Sequence, residues 1–266
     1  MIGRGAPPET VAERWRRLSP HIVAIGPADA EPRPAVLLFH GCGGMRDYLR
    51  NYAEMAAAAG VRAFIIDSFA PRGWSRAKAL GLVCTGLRFR GAERAGDVLA
   101  AVWGVKARAD VDADRVALAG WSHGSWSIMD LMTMPMQSPG EAGLADATPA
   151  HMAGVEAVFL VYPYGGVGAL SRVRDWVRTP RTMAVICEQD HITSLADAER
   201  VFARVANAGA PMELWRAAAT HGFDEPGRRG PMRHDPELTA EAHDRFRRFL
   251  EEALLAQPGG AGRETG

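Results

Sequence analysis

Five consecutive residues, Gly120-Trp121-Ser122-His123-Gly124, spell G-x-S-x-G. That spacing can present a serine hydroxyl as a nucleophile at a sharp strand-to-helix corner. The apolar run Arg115-Val116-Ala117-Leu118-Ala119 before it reads as a buried strand, and Ser125 to Met134 after it reads as a helix. The two glycines have a steric reason, because side chains in so tight a turn would collide with its neighbours. G-x-S-x-G alone is common; the strand before and the helix after give it weight.

A serine hydroxyl is a weak nucleophile at neutral pH and needs a base within hydrogen-bond reach, which in turn needs an acid to orient it. Such groups gather at the carboxyl ends of parallel strands. Asp190 follows the run Ala184-Val185-Ile186-Cys187 by a short turn and is the expected acid, with Glu188 as its neighbouring competitor. His221, in Thr220-His221-Gly222-Phe223 beyond the run Met212 to Arg216, is the expected base. His234 falls in an Arg-rich loop and His243 inside a closing helix, where solvated surface roles suffice. Two backbone amides must meet the developing oxyanion. One is expected from His123; the other from Cys42, with Gly43 second, in the loop Gly41-Cys42-Gly43-Gly44. The side chain of Cys42 is expected to be a small packed thiol.

The elements that must position these residues alternate. Ala35 to Phe39, Val61 to Ile66, Val155 to Tyr162, Thr182 to Cys187 and Met212 to Arg216 read as further strands. Tyr48 to Ala59, Glu93 to Arg108, Asp197 to Ala208 and Pro236 to Leu255 read as helices. Gly73 to Gly91 reads as irregular. The alternation predicts an α/β fold with a mostly parallel central sheet covered by helices on both faces. A single domain is expected over residues 1–266, with 1–20 and 257–266 flexible. Residues 133–154, rich in Met, Pro and Gly, form the one sizeable insertion; a lid over the active site and an ordinary surface excursion are equally compatible with it.

Of the 266 residues, 47% are hydrophobic and 23% charged, and the formal net charge is zero. That balance gives no general attraction to nucleic acid or to an anionic membrane. No apolar run approaches the roughly 20 residues of a membrane helix, and Met1 to Pro20 lacks the apolar stretch of a secretory signal. Cys42, Cys84 and Cys187 are an odd, scattered set, which argues against a disulfide framework or a cysteine metal site and makes the cytoplasm the default. Arg72, Arg88 and Arg90 could recognise a substrate carboxylate, although arginines so placed more often tie loops to a sheet. Arg228, Arg229 and Arg233 read as a solvated loop. Trp121 and Trp126 flank the elbow and fit either a pocket wall or the core.

Taken together, His40-Gly41-Cys42-Gly43-Gly44, Asp67-Ser68-Phe69-Ala70-Pro71-Arg72-Gly73, the elbow at Ser122, Asp190 and His221-Gly222-Phe223 resemble the dienelactone hydrolase family of α/β-hydrolases. The resemblance spans roughly Pro34 to Phe223, and the Asp67 to Gly73 stretch is its most specific piece. It implies an α/β-hydrolase fold and ester or lactone hydrolysis with no metal or organic cofactor. Two departures stand out: Ser122 occupies the elbow where the best-known members carry cysteine, and Gly41 stands where they place a glutamate. Both point to a serine-bearing branch of esterases of varied preference rather than to dienelactone itself. A small ester or lactone is the expected partner, cleaved by Ser122, His221 and Asp190. A peptidase, thioesterase or acyltransferase with the same three groups, or a non-catalytic ligand-binding relative, are the alternatives.

Overall fold

A computed structural model of the chain describes residues 8–83, 88–227 and 230–256. Cys84, Arg228, Arg229 and the tail after Ala256 lie outside the described residues. Seven strands form one sheet: β1 (Ile22–Ile25), β2 (Arg33–Phe39), β3 (Arg62–Ile66), β4 (Val111–Trp121), β5 (Val155–Val161), β6 (Arg181–Cys187) and β7 (Met212–Ala217). Their order is β1-β3-β2-β4-β5-β6-β7. Only β1 runs antiparallel, pairing Ile22 with Ile66; every other pair is parallel.

The central strands are apolar on both faces because helices cover both. Alternate residues of β2 divide between two cores: Ala35, Leu37 and Phe39 to one, Val36 and Leu38 to the other. The first core is closed by α4 (Gly91–Lys106), α5 (His123–Met132) and α6 (Leu195–Asn207). The second is closed by α2 (Asp47–Ala58) and α7 (Pro236–Leu250). The closing helix read as Pro236 to Leu255 changes to a π turn at Glu251–Leu255. The mostly parallel, two-sided α/β architecture is the expected one.

Three expectations are corrected. The segment read as flexible, residues 1–20, contains α1 (Val11–Leu18), started by a capping box of Thr10 and Glu13. Its inner face carries Val11, Leu18 and Arg14, and the Arg14 guanidinium reaches Asp97 of α4 at 2.7 Å. A buried arginine hid the apolar stripe that would have announced this helix. The stretch Gly73 to Gly91, read as irregular, holds α3 (Arg76–Leu82), a short helix capped by Ser75 that buries only Ala79. Residues 133–154 do not cover Ser122. Met134, Met136, Ala142, Leu144 and Met152 sink into the first core, and Glu9 accepts the Ala145 N–H at 2.8 Å. Their apolar side chains gain more by packing on α1 and α4 than by hanging over a pocket. Among the described residues, no helix is long and apolar enough to cross a membrane.

The N-terminal helix belongs to the core, so Leu18→Ala is expected to lower the unfolding free energy by about 2–5 kcal/mol in urea denaturation. A change near zero would mean that α1 contributes nothing to the fold.

Candidate active site

β4 ends at Trp121 and α5 begins at His123, so Ser122 alone makes the corner. Its backbone sits at φ 51°, ψ −110°, a strained conformation for a residue with a side chain. The corner is held from both sides: Ser122 N–H donates to Val161 O at 2.9 Å, and Ser122 O accepts the Trp126 N–H at 3.0 Å. The two motif glycines are sterically required. A Cβ on Gly124 would lie 2.0 Å from Phe39 O, and one on Gly120 would lie 2.6 Å from the Ser125 amide.

Three expected side chains meet in one hydrogen-bonded chain. Ser122 Oγ lies 2.9 Å from His221 Nε2, and His221 Nδ1 lies 2.7 Å from Asp190 Oδ2. With Asp190 ionised, Nδ1 carries the proton and Nε2 is left to accept from the serine. The loops that carry Asp190 and His221 are tied together: Glu188 N–H donates to Ala217 O at 2.9 Å and Gln189 N–H to Ala219 O at 3.0 Å. Asp190 Oδ1 accepts the Ile192 and Thr193 amides, closing its own turn. Burial opposes the Asp190 charge, but the His221 hydrogen bond and charge and the two amides outweigh it and hold the carboxyl below its usual range. Glu188, the competing acid, points to solvent.

The loop Gly41 to Gly44 lies against the serine; a Cβ on Gly41 would be 3.5 Å from the Ser122 Cβ. Gly41, Cys42, Gly43 and Gly44 line the pocket that opens on Ser122. Tyr48, Tyr162, Ile192 and Met232 give it apolar walls, and Arg46 and Glu225 face each other at 2.5 Å on its side. The Cys42 sulfur is disulfide-bonded, which corrects the packed thiol expected there and withdraws the cysteine argument for a reducing compartment. His123 is buried, its imidazole held below the ordinary range by burial and then by the Arg94 charge.

Trp121 and Arg72 do not line the pocket. Trp121 is fully buried, its Nε1 donating to Asp224 Oδ2 at 2.9 Å. Arg72 is occupied by Asp97 at 2.8 and 2.9 Å and by Ser68 O at 2.6 Å, so it ties a loop to α4. Arg88, Arg90 and Trp126 are also absent from the lining. His243 is half-buried against the Tyr52 ring at 4.5 Å rather than on the surface. The sequence reading missed Asp224, which lies three residues past His221 and is fully buried. Tyr52 Oη (3.0 Å), Tyr162 Oη (2.7 Å) and Trp121 Nε1 all donate to it. Burial raises the Asp224 carboxyl above its usual range, since these donors are neutral. Tyr162 in turn packs its ring 4.6 Å from that of His221. No local pattern in Phe223-Asp224-Glu225 announces this, because its partners come from α2, β4 and the residue just past β5.

The family model of the dienelactone hydrolase family matches residues 21–254. No curated protein matches the chain. Among solved structures, a putative dienelactone hydrolase from Klebsiella pneumoniae superposes with a TM-score of 0.63 at 14% identity, covering 87% of this chain and 92% of that one. A propionate-bound thermophilic esterase from Thermogutta terrifontis gives a TM-score of 0.64 at 19% identity, over 90% of this chain and 91% of that one. Esterase 2 of the same organism, phosphonylated by sarin, gives 0.64 at 17% identity over the same shares. At these identities the likeness is one of fold.

The close approach at the elbow generates a structural expectation. Gly124→Ala should destabilise the protein by about 3 kcal/mol or more, because backbone rather than a flexible side chain must yield. A thermal midpoint equal to that of the parent would contradict this packing.

Proposed function

The chain belongs to the dienelactone hydrolase family, and we propose that it is a single-domain serine hydrolase that cleaves carboxylic esters or lactones through an acyl-enzyme on Ser122. That it is a hydrolase acting on ester bonds follows from the family. The serine mechanism rests on one observation, the continuous chain from Ser122 Oγ through His221 to Asp190 at 2.9 and 2.7 Å.

In this reading Ser122 Oγ attacks the carbonyl carbon while His221 Nε2 takes its proton. The carbonyl oxygen becomes an oxyanion facing the amides of Cys42 and His123. When the tetrahedral intermediate collapses, the C–O bond to the alcohol breaks and His221 returns the proton to that oxygen. Water then attacks the acyl-enzyme, gives its proton to His221, and releases the acid and the free serine. With a lactone, the alcohol and acid stay in one molecule. Asp190 keeps its charge throughout, holding the imidazole in the reactive tautomer and stabilising the imidazolium.

The pocket favours a short acyl chain. It offers only about 40 Å3 of free space, and Tyr48, Tyr162, Ile192 and Met232 bound it close to the serine. The propionate bound to the Thermogutta terrifontis esterase is likewise a short acyl group. The serine at the elbow and Gly41 beside it support an ester or simple lactone over dienelactone.

Ser122→Ala is expected to abolish hydrolysis of p-nitrophenyl acetate; an unchanged rate sinks the assignment. A carboxyl held below its usual range stays charged above it, so Asp190 adds no step to the pH–rate profile above about pH 4. Asp190→Asn is expected to lower kcat by roughly 10⁴-fold across pH 6–9, because the amide favours the wrong imidazole tautomer. A loss confined to one end of that range would contradict the orienting role.

A further inference from the structure

We propose that Arg94 is a positioning residue that sets both halves of the oxyanion hole from one buried guanidinium. This rests on the reading of Cys42 and His123 as the oxyanion donors. Arg94 lies on α4, is fully buried and touches neither Ser122 nor the pocket. Its Nη1 donates to His40 O at 2.7 Å and to His123 Nδ1 at 3.2 Å. Its Nε donates to Ser68 Oγ at 3.0 Å. One planar group therefore spans the residue that opens the Gly41 loop, the residue after the nucleophile, and the loop after β3.

Each contact continues to an amide. His40 O belongs to the peptide entering the loop. The His40 ring then acts on the next peptide, its Nδ1 donating to Gly41 O at 2.7 Å while its Nε2 accepts the Ser68 N–H at 3.2 Å. In a trans peptide the carbonyl and the N–H point opposite ways. Holding Gly41 O therefore turns the Cys42 N–H to the other side. On the elbow, the His123 ring is fixed at both ends: Nδ1 accepts from Arg94, and Nε2 donates to Phe89 O at 2.7 Å. The separation between the two donor segments is thus set by a rigid side chain rather than by loop packing alone.

The electrostatics agree with a positioning role. Burying a charge is costly, and an apolar side chain would tie α4 to the sheet at less cost. Asp97, three residues along α4, supplies opposite charge but hydrogen-bonds to Arg14 and Arg72. Burial brings Arg94 down to about 10, still charged at neutral pH. That charge, after burial, helps hold His40 and His123 below their ordinary range. Both imidazoles must be neutral, because His40 Nε2 and His123 Nδ1 each accept a hydrogen bond.

The test compares the parent with Arg94→Lys and Arg94→Met, each shown to be folded by circular dichroism and thermal melting. Lysine keeps the charge but cannot reach three acceptors with a planar fork. Measured are kcat and KM for p-nitrophenyl acetate, the titre of reactive Ser122, and the affinity of a trifluoromethyl ketone, which forms a tetrahedral adduct on serine. Loosening the donors is expected to lower kcat per titrated site by roughly 10–100-fold, with KM within about 2-fold. Ketone affinity should fall in step, with lysine milder than methionine. If Arg94→Met does not fold, Arg94→Lys carries the comparison alone, and Ser68→Ala, which removes one acceptor without touching the charge, joins it with the same direction expected. Folded variants with parent kcat per site and parent ketone affinity overturn the proposal. So does a loss explained wholly by a lower titre, which is what a merely structural role gives. Those outcomes leave the hydrolase reading intact if Ser122→Ala is inactive; an active Ser122→Ala instead removes the premise.

Discussion

The contact of Gly124 with the end of β2 is the constraint from which the site follows. Phe39 O sits where any side chain on Gly124 would have to go, so the first turn of α5 lies directly on the backbone of the neighbouring strand. This brings the loop that leaves β2 beside the serine that leaves β4, two strands adjacent in the sheet. The strain at Ser122 persists because the surrounding hydrogen bonds to Val161 and Trp126 over-determine it. The order of strands β4, β5, β6 and β7 then sets where Asp190 and His221 can arrive, each one loop past its strand and each loop bonded to the other.

Around this frame, three buried carboxylates face the same desolvation and resolve it differently. Asp97 lies between Arg14 and Arg72 and stays below the usual range despite burial. Asp190 stays low through an imidazole and two amides. Asp224 meets only neutral donors and is raised. Partner charge, rather than depth, decides the sign. The first ties the N-terminal helix to α4, the second holds the His221 ring, and the third gathers Tyr52, Tyr162 and Trp121 beside it.

Much of the site was legible in sequence because its signals are local. The elbow at Ser122 carries its own glycines, and Asp190 and His221 each follow an apolar strand in the right chain order. The parallel sheet was legible for the same reason: doubly covered strands such as Leu37-Leu38-Phe39 are continuous apolar runs. What escaped the reading depends on distant partners. The helix Val11–Leu18 hides its inner face behind Arg14, whose partner Asp97 is far along the chain. Asp224 and Arg94 look like ordinary charged residues until the fold surrounds them with tyrosines or carbonyls. Trp121 adjoins the elbow and Arg72 follows β3, yet both turn away from the pocket because Asp224 and Asp97 claim their polar ends. Residues 133–154 looked free to cover the site, yet their methionines and leucine complete the opposite core.

The proposed chemistry requires His221 to make the Ser122 oxygen reactive at neutral pH. Its most direct measurement is the rate and location of labelling by a fluorophosphonate, followed by peptide mass spectrometry, in the parent and in His221→Ala. The predicted result is one adduct per chain, on Ser122, formed at least about 100-fold more slowly without the imidazole. An adduct on another residue, or a labelling rate indifferent to His221, would contradict it.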